Sequence, residues 1–227
     1  MGKSIFLLFF FIALLGDCIG IAAGNSTLQY IFKPLIVLSL VLYLVFSSGK
    51  TGSLGKWLLI ALILSLAGDV LLLFEPFDAV FFMAGLGAFL IAHLFYIVEF
   101  HQIRIQENIK PKPLYLLIVL VYYLSLMMLL NGWLGDLKMP VRIYGIVISF
   151  MLMLALHLAH LRNSRAAKTI LLGALLFVLS DSLLAINKFY HPFPHAGLFI
   201  ITSYALAQLC LTLGSISYIR SKSLRAI

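Results

Sequence analysis

Eight apolar stretches follow one another along almost the whole chain, and no other feature limits its fold as much. They cover residues 5–24, 28–46, 57–74, 79–100, 114–130, 139–159, 166–187 and 195–219. About 20 apolar residues in a helix cross the hydrocarbon core of a bilayer. The breaks read GNST, SSGKTGSLGK, EPFD, RIQENIKPKP, NGWLGD, HLRNSRAAK and KFYHPFPH, all turn-forming or charged. None is long enough for a separate domain. The expectation is an all-α, polytopic membrane protein of eight transmembrane helices, with residues 1–227 as a single integral membrane domain.

Composition agrees. The chain is 63% hydrophobic and 11% charged, with a mean hydropathy of +1.11, where a soluble domain carries about 25% charged residues. Its 18 Phe and 10 Tyr suit a lipid-facing surface with interfacial anchors. Cys18 and Cys210 both lie inside apolar runs, so no disulfide framework is implied. The opening MGKSIFLLFFFIALLGDCIGIAAG has the outline of a signal peptide. The Asp17–Cys18 pair does not suit lipoprotein cleavage, however, and Gly16, Gly20 and Gly24 offer a GxxxGxxxG packing face. A retained first helix is the better reading.

The net charge of +8 is distributed as a topology signal, not as a nucleic-acid surface. Twelve of the sixteen Lys and Arg lie on one side: Lys3, Lys50, Lys56, Arg104, Lys110, Lys112, Arg162, Arg165, Lys168, Arg220, Lys222 and Arg225. Lys33, Lys138, Arg142 and Lys188 lie on the other. The positive-inside rule then places both termini in the cytoplasm, with a bacterial inner membrane as the expected home.

A faint repeat runs at an offset of 112 residues. Lys56, Asp69 and Gly85 match Lys168, Asp181 and Gly197, which suggests two parallel four-helix halves.

Topology turns residue numbers into depths. Asp69 follows Lys56 by 13 residues and Asp181 follows Lys168 by 13, so each carboxylate stands roughly 20 Å above its anchor. Asp17 reaches about the same height from Lys3. Lys33 enters from the far side, and Gln208 stands about 18 Å above Arg220. An ionised residue at the bilayer centre costs ~2.5–3.5 kcal/mol, so such residues normally face the bundle interior and mark a functional path. One acid pairing with Lys33 would be simple helix glue. Five polar groups from five spans at one depth point to a site.

The fourth span places Gly85, Phe89, His93 and Tyr96 along one face. Its numbering sets His93 nearer the cytoplasmic end than the aspartates, which argues against direct chemistry. Tyr204, Gln208, Thr212 and Ser215 form a polar stripe in the eighth span, a pattern that often only glues helices. No HExxH, GxSxG or phosphate loop occurs. His157 and His160 sit at the cytoplasmic edge, and His191 and His195 at the outer mouth, where metal binding is the less favoured reading. The residue set calls for no metal and no cofactor.

In this setting KPL opens the second span, GDVLL lies in the third and GxxxFxxxHxxY in the fourth. GALLFxxSDxLLA lies in the seventh and YxxxQ in the eighth. This ordered set resembles the YhhN-like lysoplasmalogenase family over nearly the whole chain. The resemblance implies a membrane hydrolase that cleaves the vinyl ether bond of lysoplasmalogens. The products are a fatty aldehyde and glycerophosphoethanolamine or glycerophosphocholine. It also implies functional roles for Lys33, Asp69, His93, Tyr96, Ser180, Asp181, Tyr204 and Gln208, with another lysophospholipid as a possible natural substrate.

Vinyl ethers hydrolyse by protonation at carbon, followed by capture of an oxocarbenium ion by water. Burial disfavours the charge of a carboxylate, and two neighbouring carboxyls can divide acid and base roles. Asp69 and Asp181 are therefore the expected catalytic pair. Lys33, His93, Tyr96, Ser180, Tyr204 and Gln208 are the expected substrate-binding residues, and Lys33, Arg142 or Lys188 would meet the phosphate. The partners are a lysophospholipid and the bilayer, with no nucleic acid. A proton-coupled transporter or carrier of a small lipid would also need buried acids, a lysine and parallel repeats. Aldehyde release separates the two readings.

Overall fold

A computed structural model describes residues 4–47 and 52–225. Lys3 and Lys50, which contributed to the charge count, lie outside the described residues. The helices are α1 (Ser4–Ala22), α2 (Ser26–Ser47), α3 (Ser53–Leu73), α4 (Ala79–Gln106), α5 (Pro113–Leu130), α6 (Lys138–Leu158), α7 (Ser164–Ala185) and α8 (Ala196–Arg225). A 3₁₀ turn, Gly135–Leu137, leads into α6, and a π-helical turn, Ile186–Tyr190, extends α7. All eight helices are long and apolar enough to cross a membrane, and no strand occurs among the described residues.

Local chemistry sets the boundaries. Asp78 accepts from the Val80 amide at 2.8 Å and Asn163 from the Ala166 amide at 3.1 Å, capping α4 and α7. Pro113 occupies the first turn of α5, where its missing N–H leaves no partner wanting. The two largest departures from the apolar spans are at the ends of α4 and α8, which run on to Gln106 and Arg225. There Lys222 Nζ donates to Gln106 Oε1 at 2.6 Å and the Tyr218 hydroxyl to Glu107 at 3.1 Å. Polar pairing continues the two helices past the point where hydropathy falls.

The closest packing is between α7 and α8 and between α3 and α4. A Cβ on Gly173 would stand 2.8 Å from the Leu211 amide nitrogen, and one on Gly68 2.6 Å from the Phe89 ring. Side-chain packing and backbone approach, rather than hydrophobic exclusion, hold helices together in lipid. Gly16 and Gly20 pack in this way against Phe32 and Leu28 of α2. Gly24 does not. It lies beyond the end of α1 with φ +62 and forms the turn into α2, so the expected three-glycine face is a two-glycine face. Phe9, Leu15, Leu117 and Met128 are among many large apolar side chains left on the outside, as a lipid-facing wall requires.

Two of the four helix pairs keep the 112-residue offset closely, while α1 and α5 begin 109 apart and α4 and α8 117 apart. α2 and α6 begin 112 residues apart, at Ser26 and Lys138, and α3 and α7 begin 111 apart, at Ser53 and Ser164.

Candidate functional site

A cavity of about 330 Å³ opens at the end of the bundle where α1 meets α2, α3 meets α4 and α7 meets α8. Seven helices line it, and α5 does not. Its polar groups are Asp17, Gln29, Lys33, Asp69, Tyr144, Ser180, Asp181, Asn187 and Tyr204. The rest of the wall is apolar, including Leu72, Phe82, Leu86, Phe89, Leu184 and Ile201. The polar layer expected from depth thus converges on one space for Asp17, Lys33, Asp69 and Asp181.

Asp69, one turn before the end of α3, is 2% exposed. The Tyr204 hydroxyl donates to its Oδ2 at 2.7 Å. Behind Tyr204, Gln208 Nε2 donates to the Tyr204 oxygen at 3.3 Å, and the Tyr96 hydroxyl donates to Gln208 Oε1 at 2.6 Å. Three donors from α4 and α8 therefore point one after another toward Asp69. Such chains polarise each bond along them. Tyr96 and Gln208 are fully buried and form no part of the cavity wall, so they reach the cavity only through Tyr204.

Asp181 has different neighbours. The Tyr144 hydroxyl donates to its Oδ2 at 2.6 Å. His93 Nε2 stands 3.8 Å from the same oxygen, too far for a hydrogen bond. His93 Nδ1 donates to the Phe89 carbonyl at 2.7 Å, so a neutral ring turns its unprotonated Nε2 toward Asp181. The ring is fixed edge to face against Phe177 and Tyr144. The expectation that His93 lies nearer the cytoplasmic end than the aspartates is corrected for its ring, which reaches the Asp181 carboxyl. Counting residues from the cytoplasmic end ignored the relative tilt and stagger of α4 and α7.

Lys33 lies within electrostatic range of Asp17 and Asp69 without forming an ion pair with either. It stands one residue before Pro34, which cannot donate a helical hydrogen bond in α2. Asp17 is fully buried, and neither of its oxygens has a hydrogen-bond partner among the described residues. Ser180 lines the cavity with its hydroxyl donated to the Ile200 carbonyl at 3.0 Å. At the mouth Lys188 pairs with Glu75 and lies 5.0 Å over the Phe82 ring. Arg142, a proposed phosphate contact, is turned instead to Asn131 Oδ1. Of the three expected cations, Lys33 alone lines the wall, with Lys188 just outside it.

Sequence reasoning missed Tyr144, Gln29 and Asn187. Tyr144 had a signal: it lies six residues inside α6 from Lys138, within reach of the depth argument applied to the acids. The hydroxyl of a tyrosine in an apolar span was the overlooked clue. Among the described residues no group of three or more His, Cys, Asp or Glu is placed to hold a metal ion. His157 and His160 serve the α5–α6 edge. Lys112 donates to both, from its amide to His157 at 3.0 Å and from Nζ to His160 at 2.6 Å.

Residues 28–215 match the YhhN family. The chain belongs to that family. Among proteins it resembles, a human protein named lysoplasmalogenase TMEM86B is 35% identical over 69% of this chain and 62% of its own length. The chain therefore spans less than two thirds of that relative. The pig protein of the same name is 35% identical over 80% of this chain and 72% of its own. A Mycobacterium tuberculosis protein named lysoplasmalogenase is 33% identical over 84% of this chain and 71% of its own. No solved structure matches. The YhhN match covers α2 to α7 and most of α8, and so all the cavity helices except α1.

Proposed function

We propose that this YhhN-family chain is a membrane hydrolase that cleaves the vinyl ether bond of lysoplasmalogens. The observation that carries the reading is the convergence of Asp69 and Asp181, from α3 and α7, on one largely apolar cavity. Each has Oδ2 held by a tyrosine hydroxyl, which fixes the plane of the carboxyl group. The relatives named lysoplasmalogenase supply the substrate class.

The chemistry follows from the bond. One aspartic acid gives its proton to the alkenyl carbon once removed from the ether oxygen, using the C=C electron pair to form the new C–H bond. The ether oxygen shares the resulting positive charge as an oxocarbenium ion, and the other carboxylate lies in the same cavity to stabilise it. That carboxylate then takes a proton from water as the water oxygen bonds to the cationic carbon. The hemiacetal collapses to a fatty aldehyde, and the glycerol oxygen leaves with a proton. One water is consumed and no net proton. Positioned acid–base groups typically contribute 10²–10⁴-fold to such a reaction, and an apolar enclosure favours the neutral form of a carboxylic acid.

A single-chain lipid reaches this site from the bilayer with its alkenyl chain along the apolar wall. Lys33 meets the phosphate. Ser180 and Tyr204 line the bound substrate, while His93, Tyr96 and Gln208 act from behind the wall. The chain works as one integral membrane unit with both termini in the cytoplasm, in keeping with an inner-membrane enzyme.

The test is incubation of the purified protein in detergent with a vinyl ether lysophospholipid and its acyl ester counterpart, with hydrazine to trap aldehyde. Aldehyde from the vinyl ether alone supports the reading. Fatty acid from the ester changes the bond. Neither product, together with lipid flux in liposomes, would replace the hydrolase with a carrier.

A further inference from the structure

On the cytoplasmic side of the Tyr96–Gln208 contact, α4 and α8 run in the same direction and meet through long side chains, as the pairs Gln106–Lys222 and Glu107–Tyr218 show. Glu99 lies one turn beyond Tyr96 on α4 and is fully buried. Neither of its carboxylate oxygens has a hydrogen-bond partner among the described residues. Ser215 of α8 faces this carboxyl from the neighbouring helix. Thr212 lies between Gln208 and Ser215 on the same helical face. Both hydroxyls are fully buried, and neither has a partner among the described residues.

Ser65 shares this state, whereas several other helical hydroxyls are satisfied within their own helices. Ser149, Thr169, Ser182, Ser203 and Ser223 each donate to the carbonyl four residues back in their own helices. Thr212 and Ser215 do not. No Lys, Arg or His forms an ion pair with Glu99 among the described residues. Buried polar atoms are almost always satisfied, and a buried carboxylate without a counter-charge is strongly unfavourable.

We propose that Glu99, Thr212 and Ser215 form a binding site for a monovalent hard cation, sodium, inside the α4–α8 interface. The donors are all oxygen, which selects a hard ion over zinc or copper. The single carboxylate charge balances one positive charge and no more. The site lies directly beneath the donor chain from Tyr96 to Asp69, and it stands whether or not the cavity hydrolyses lipid.

The experiment is thermal unfolding of the purified full chain in detergent at constant ionic strength, with sodium exchanged for choline. Sodium should raise the melting temperature by about 2–4 °C, as a site-bound ion does in a protein of this size. Glu99→Gln should abolish that rise and Ser215→Ala should reduce it. Equilibrium dialysis with radiolabelled sodium should show one ion per wild-type chain. If Glu99→Gln does not accumulate, Thr212→Val and Ser215→Ala make the same comparison. Equal melting in sodium and choline would overturn the proposal. So would a sodium effect that survives these substitutions, or a Glu99→Gln protein more stable than wild type in both salts, which would mark Glu99 as a protonated acid.

Discussion

The Tyr96 hydroxyl donates to Gln208 Oε1 at 2.6 Å, across the same 112 residues that separate Asp69 from Asp181. If the 112-residue offset marks two repeats, Tyr96 and Gln208 hold matching positions in them. The two aspartates are then alike in position and unlike in surroundings. Asp69 ends a chain of three donors. Asp181 has one tyrosine and the edge of a histidine. In the proposed reaction that difference would let one carboxyl act as acid while the other acts as base.

Removing the chain should act mainly on turnover, since Tyr204→Phe keeps the ring that lines the cavity. Tyr204→Phe deletes the hydrogen bond to Asp69, and bonds to charged groups contribute about 1.5–3 kcal/mol. The expected loss in kcat is roughly 10–100-fold, with KM little changed. Tyr96→Phe, two bonds further away, should lose less. Steady-state kinetics with a vinyl ether lysolipid would check both, and an equal loss for the two variants would contradict the order of the chain.

At Asp181 the directly bonded partner should matter more than the histidine. Tyr144→Phe is expected to reduce kcat by the same ~10–100-fold. His93→Gln keeps a polar group that can bond the Phe89 carbonyl and should retain a larger fraction of activity. A His93→Gln protein as inactive as Tyr144→Phe would give His93 a direct part in the reaction.

Much of this was legible in the chain. Apolar length gave eight helices, and Lys-to-Asp spacing gave a common depth for Asp17, Asp69 and Asp181. The partners of the acids were not legible, because Tyr144 and Tyr204 reach them across helices whose stagger no local pattern encodes. His93 was set too low for the same reason. Glu99 escaped notice since it lies near the polar end of an apolar span, where a carboxylate looks solvated. Gly24 looked like part of a packing face because the four-residue glycine spacing continues to a position two residues past the point where the helix stops.

Packing predicts a contrast between two glycines. A Cβ at Gly173 would meet the Leu211 backbone, which cannot move aside as a side chain can. Overpacking of this kind costs about 1–3 kcal/mol, and each kcal/mol lowers the melting temperature by about 2–4 °C in a chain of this size. Gly87 has no neighbour within 4 Å of such a Cβ, so Gly87→Ala should melt at or above the wild-type temperature. Thermal scans of the two variants in one detergent would check this.

Charge asymmetry predicts the orientation. A fluorescent reporter that folds only in the cytoplasm, fused after Ile227, should be bright, and the same reporter inserted between α3 and α4 should be dark. The opposite pattern would turn the cavity mouth to the cytoplasmic face and change where the lipid enters.

The most direct measurement is aldehyde release in heavy water by the wild type, Asp69→Asn and Asp181→Asn side by side. Carbon protonation predicts that the wild-type aldehyde carries one deuterium on the carbon next to the carbonyl. Both variants should be slower by at least ~100-fold, the usual contribution of a positioned acid or base, while their melting temperatures stay close to wild type. Wild-type rates in both variants, or aldehyde without deuterium at that carbon, would contradict the account.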